Sequence, residues 1–134
     1  MSLQAAIRTR LLSQSGVTSL VGQRVYPEAR AQDSALPSVV YSINNEQSLA
    51  LLSSPAGSWK ADVEIVAVAA TKADSDAVAA AVIKALDGFV GTLSSTDIQH
   101  CIHSRSVTAY NAPMAGESIG TFLHTTVFST MHKG

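Results

Sequence analysis

WKADVEIVAVAATKADSDAVAAAVIKALDGFVG, residues 59–91, changes its hydrophobic period once, and that change decides the fold class. In its first part Trp59, Ala61, Val63, Ile65, Ala67 and Ala69 alternate with Lys60, Asp62, Glu64, Val66 and Val68. Period two assigns each set to one face of a strand. One face is apolar throughout, while the other turns from charged to apolar halfway, as expected of a strand wet at one end and covered at the other. After Ala70 the period becomes helical. Thr71 with Asp74 three residues on makes a capping box, and Asp74 and Asp76 near the start and Lys84 near the end suit the helix dipole. Val78, Val82, Leu86 and Phe89 form the stripe to be buried, and Gly88 is placed to stop the helix. The alanines around them keep this helix slim enough to lie close on a sheet.

Working outward, VVYSIN puts Val39, Tyr41 and Ile43 on one face and Val40, Ser42 and Asn44 on the other, so a strand begins at Val39. NNEQSLALLSSPAGS, residues 44–58, then joins the two strands. It is too long for a tight hairpin, and Leu49, Leu51 and Leu52 fit neither period. Apolar residues on a loop must be covered by something. Two covers are open: the subunit's own sheet, or a neighbouring subunit reached by a contact arm.

At the N-terminal end Leu3, Ile7 and Leu11 recur every four residues, with Ser2 as N-cap and Gly16 as the stop, which predicts a helix of about 13 residues. Leu20 and Val21 are expected to tuck a turn against the same core, and residues 22–37, bracketed by Pro27 and Pro37, read as loop. Downstream, 98–110 and 119–131 read as strands. The first slips phase between Ile102 and Val107, predicting a bulge near Ser104. The second sets Leu123, Val127 and Met131 opposite Phe122 and Phe128. NAPMAGES is a second long hairpin loop. The expected fold is α+β: a four-stranded, mainly antiparallel sheet with two helices mostly on one face, in the order α-β-β-α-β-β, as one domain over residues 1–134.

Composition narrows the function. Nine Lys and Arg against ten Asp and Glu leave a net charge of -1 over 134 residues, with no basic run to grip a phosphate backbone. Only 14% of residues are charged and 46% are hydrophobic, a thinly charged surface that suits contact with other proteins. A single cysteine excludes an internal disulfide. No stretch is apolar and long enough for a membrane span, and Met1–Arg10 has no signal-peptide core.

Chemistry finds little support. His100, Cys101 and His103 cluster in sequence, with His124 as a candidate fourth ligand, but on an extended strand His100 faces away from the other two. Cys101 as a nucleophile has His103 within reach and no third group. Asp62 and Glu64 share a face and could do acid–base work, yet beside Lys60 they read first as solubilising or subunit-pairing charges. No catalytic, cofactor or metal residue is assigned; Leu49, Leu51, Leu52, Lys60, Asp62 and Glu64 are the suspected subunit-interface residues.

Three stretches together carry a family resemblance: Leu20–Pro27 (LVGQRVYP), Leu36–Tyr41 (LPSVVY) and the helix end Ala79–Gly88. With the opening MSLQAAIRTRLL and the closing FLHTTVFST, the chain resembles, from about Leu3 to Thr130, the tail-completion or tail-terminator proteins of long-tailed phages, prophages and gene transfer agents. The matching pieces are framework, not catalytic motifs. The resemblance implies a homo-oligomeric ring, six copies by the family's number, at the head-proximal end of the tail tube of a virion assembled in the host cytoplasm. Its implied partners are the tail tube protein, a head completion or stopper protein and the end of the tape measure. DNA would pass through the lumen without sequence-specific binding, no membrane would be touched, and no cofactor would be needed. The rivals are another neck or minor tail ring protein and, from a different class, a small dimeric enzyme or ligand-binding domain with a deep pocket lined by His103, Cys101 and Asp62.

Overall fold

The computed structural model describes residues 3–28, 35–48, 58–93, 96–113 and 120–133. Along the chain run α1 (Leu3–Ser13), α2 (Ser15–Val21), β1 (Val25–Pro27), β2 (Ser38–Ser48), β3 (Ser58–Ala69), α3 (Lys72–Leu86), β4 (Gly91–Leu93), β5 (Thr96–Asn111) and β6 (Thr121–Lys133). The strands form one six-stranded sheet in the order β1-β2-β3-β6-β5-β4. β1 runs parallel to β2, and the other pairs are antiparallel.

The sheet is therefore mixed, and the expected four-stranded, two-helix α-β-β-α-β-β arrangement is corrected. Its four strands exist as the central β2-β3-β6-β5. What the sequence pattern hides are a third helix and two edge strands of three residues each. Gly16, expected to end the first helix, lies in the first turn of α2, and Leu20 and Val21 close that helix instead of forming a turn. Gly22 follows with a φ of 60°, the left-handed geometry that glycine adopts without strain. The 22–37 segment, expected as loop, carries β1.

One face of the sheet makes the core. β3 presents Ala61, Val63, Ile65 and Ala67 there, joined by Val39 and Tyr41 of β2, Phe128 of β6, and Ile98 and Cys101 of β5, all buried. The alternation read from β3 holds, with Trp59 at the open end of the face, 37% exposed. The helices cover this face. Leu3, Ile7 and Leu11 of α1, Val17 and Val21 of α2, and Val78, Val82 and Leu86 of α3 belong to the same buried cluster. Thr71 caps α3 as expected, its hydroxyl accepting from the Asp74 amide at 3.2 Å. At the other end of α3, Arg10 ties α1 down: its Nε donates to the Ala85 carbonyl at 2.8 Å and its guanidinium lies 4.3 Å over the Phe89 ring. Two threonines on the core face of β6 satisfy themselves on β3, Thr130 Oγ1 donating to the Ala61 carbonyl at 2.9 Å and Thr126 Oγ1 to the Ile65 carbonyl at 3.3 Å.

Candidate assembly surface

Cooperative packing ends partway along β5. From Thr96 to Cys101 the strand alternates buried and exposed and sends Thr96, Ile98 and Cys101 inward, whereas every residue from Ser104 to Asn111 is exposed. The expected bulge near Ser104 is present as a register shift between His103 and Arg105, with a second shift between Ile98 and His100. Beyond it β5 continues as the outer strand of the sheet, an arm paired to β6, which β3 in turn backs as far as Phe122. Val107 and Tyr110 are more than half exposed there, and the Tyr110 ring packs on Phe122 with centroids 4.8 Å apart. A Cβ on Gly120 would collide with the Tyr110 hydroxyl and the Asn111 carbonyl, so the close approach of the two strands at the arm requires glycine.

The sheet edges are finished unevenly. β4 covers β5 only at Thr96–Ile98. Next, Gly88 N–H donates to the Cys101 carbonyl at 2.7 Å, and the His103 amide donates to Asp87 Oδ1 at 2.9 Å. Among the described residues, nothing pairs with the outer edge of β5 from Arg105 to Asn111. On the other side β1 covers β2 only at Val39–Tyr41, leaving the outer edge of Ser42–Ser48, whose inner edge pairs with β3, without a strand among the described residues. β2 itself runs farther than expected, to Ser48, with a bulge between Asn44 and Gln47 and Asn45 at a φ of 54°. Strand thus replaces both ends of the expected 44–58 loop.

Lys60, Asp62 and Glu64 lie together on the sheet face opposite the helices, as the alternation requires, but on β3, between β2 and β6 and away from either edge. Asp62 Oδ2 accepts from Asn45 Nδ2 at 3.1 Å. Leu49, Leu51 and Leu52 lie outside the described residues, as does Ser2.

The chemical candidates do not converge. Cys101 is 1% exposed, and burial, with the Asp87 carboxylate adding to it, pushes its thiol up to about 12, opposite to what a nucleophile needs. His103 turns to Ser106, with Nε2 2.9 Å from Oγ, and packs on Phe128. His124 Nδ1 is 2.8 Å from Asp76 Oδ1, and His132 Nε2 is 3.2 Å from Glu46 Oε2; the sequence reading missed both pairs, because the partners lie far apart in the chain. Among the described residues, no group of three or more His, Cys, Asp or Glu could hold a metal ion, and no helix is long and apolar enough to cross a membrane. Pockets on the described surface include one of about 190 Å³ where the arm meets α3 and one of about 330 Å³ between α2 and α3; neither of these is lined by His103, Cys101 or Asp62.

Long strands whose edges are partly unpaired among the described residues are the surface of an assembly domain. Comparison with known families makes the class particular. The family described as Tail completion protein gp17 matches residues 5–112, and the chain belongs to that family. Among solved structures it is similar to a chain in the virion of a native gene transfer agent particle, with 26% identity, a TM-score of 0.74, and 99% of this chain and 96% of that one covered. A search of curated protein sequences finds no match. The protein is a structural, non-enzymatic component of the virion tail, at its head-proximal end.

Proposed function

We propose that the chain, as one domain over residues 1–134, forms a ring that ends growth of the tail tube and presents the surface met by a head completion or stopper protein. Six copies is the number that the family resemblance implies. The tail tube protein and the end of the tape measure lie on one side of the ring, and DNA passes through the lumen without sequence-specific contacts. A net charge of -1 favours passage over grip. The observation that carries the reading is family membership together with a strand stretch on each side of one sheet that is unpaired among the described residues, because a ring needs two different surfaces per copy.

Within that ring the joint uses a strand edge and the segment after β2, with Leu49, Leu51 and Leu52 as its apolar contact. Lys60, Asp62 and Glu64, one strand in from the β2 edge on the open sheet face, stand behind the joint and do not form its edge. Imaging and mass measurement of the purified chain, with and without tail tubes, test the ring; tubes that stay uncapped at saturating protein refute it. Replacing the three leucines with serine is expected to leave circular dichroism unchanged while weakening the ring, each buried leucine contributing about 1.5–3 kcal/mol. Unfolding of that variant instead assigns the leucines to the subunit's own core.

A further inference from the structure

We infer that the open edge of β5 in one copy pairs, antiparallel and staggered by six residues, with the open edge of β2 in the next. The inference rests on the ring reading and specifies its joint.

Hydrogen-bonding capacity selects the edges. β1 stands outermost on its side, yet Pro27 has no N–H and the Val25 N–H is already bonded to the Gln23 carbonyl at 2.8 Å. Its outer edge therefore has carbonyls and no donor, which blunts it against a further strand. Among the described residues, β2 beyond β1 and β5 beyond Asp87 keep both donors and acceptors.

Alternation then fixes the register. On β2, the Val39 amide donates to the Arg24 carbonyl and the Tyr41 carbonyl accepts from the Glu28 amide, so Val39, Tyr41 and next Ile43 turn their backbone groups outward. On β5, Cys101 and His103 turn theirs outward, and after the shift at His103/Arg105 the set continues at Ser106, Thr108 and Tyr110. Tyr41, Ile65, Thr126 and Ser106 lie level across the sheet. Ser48 is level with Trp59, which stands six residues along β3 from Ile65. Sliding the neighbour by those six rows brings Ser48 beside Ser106, Gln47 beside Val107 and Ile43 beside Tyr110. An even slide matches outward groups to outward groups and keeps the helix-covered faces on one side. A slide of four would run Tyr110 into the β1 edge and bring Ser48 against His103, whose amide Asp87 holds.

Closure agrees. Six rows of about 3.3 Å over the four strand widths of about 4.8 Å that each copy contributes tilt the strands about 45°, the upper end of the usual barrel range. The joined sheet is then a closed barrel with the helices outside, and Asp62 and Glu64 face its lumen.

The test is a disulfide across the joint. Gln47→Cys with Val107→Cys, assembled on tail tubes and oxidised, is expected to give a reducible ladder of covalent multimers, which neither single variant gives; Cys101 is buried and stays out of the reaction. Tyr26→Cys with Val107→Cys reads the alternative of level copies meeting through β1. Cross-linking there and not at 47/107 overturns the proposal. Rings seen by microscopy with neither pair cross-linked also overturn it and leave the ring reading standing. Wild-type protein that forms no ring on tubes removes both.

Discussion

The two halves of β5 are one strand with two fates. Thr96–Cys101 lies under the helices, with β4 and then the α3 C-terminus closing its edge; Arg105–Asn111 has exposed residues on both faces and an edge unpaired among the described residues. Residue types do not separate the halves, since Val107, Ala109 and Tyr110 suit a strand interior as well as Ile98 and Cys101 do. What separates them is where the helices stop. The buried half stabilises the subunit, and the exposed half has surface to spare for another chain.

The largest expected effect lies on β6 at the boundary of the buried half. Phe128 is fully buried and packs on His103, so Phe128→Ala is expected to cost about 3–5 kcal/mol in urea unfolding of the free subunit. Val107→Ser in the exposed half is expected to change that free energy by less than about 0.5 kcal/mol. A cost near that of Phe128→Ala would show that the arm belongs to the cooperative unit, and the comparison would fail.

Trp59 sharpens the boundary from the other end of the sheet. It opens the core face of β3 but is 37% exposed, so Trp59→Ala is expected to cost about 2 kcal/mol, below the range for a fully buried tryptophan. A cost above about 4 kcal/mol would mean that the residues beside it cover the indole in solution.

How much of this was legible follows from element length. β3 and α3 show several repeats of their period and a cap, and their phases match the structure residue by residue. β1 and β4 have three residues each, too few to show any period, and β1 contains Pro27, which reads as a break until the parallel pairing with β2 is known. α2 spans two turns and includes Gly16, which reads as a stop. The bulge near Ser104 was legible as a phase slip. The open edges were not, because an unpaired edge is a property of the neighbour that is missing, and topology alone reveals it.

The smallest expected effect concerns what holds the root of the arm to α3. Asp76 accepts from Lys72 Nζ at 2.7 Å and sits 2.8 Å from His124 Nδ1 on β6, level with Thr108 of β5. Hydrogen bonds from Lys72 first, and His124 second, hold its carboxyl below the ordinary value of 3.8. A carboxyl depressed in the folded state contributes stability that is complete above the unfolded pKa and is lost as pH falls through the folded one. Urea midpoints of wild type and Asp76→Asn are therefore expected to differ by a small, constant amount above about pH 5 and to converge below 3.8. Because Asp76 is exposed to solvent, salt should shrink the gap as well. A gap that persists unchanged down to the lowest pH at which the chain stays folded would assign the effect to helix propensity rather than to the link between α3 and the arm. In that case the exposed half of β5 is held at its root by β6 alone.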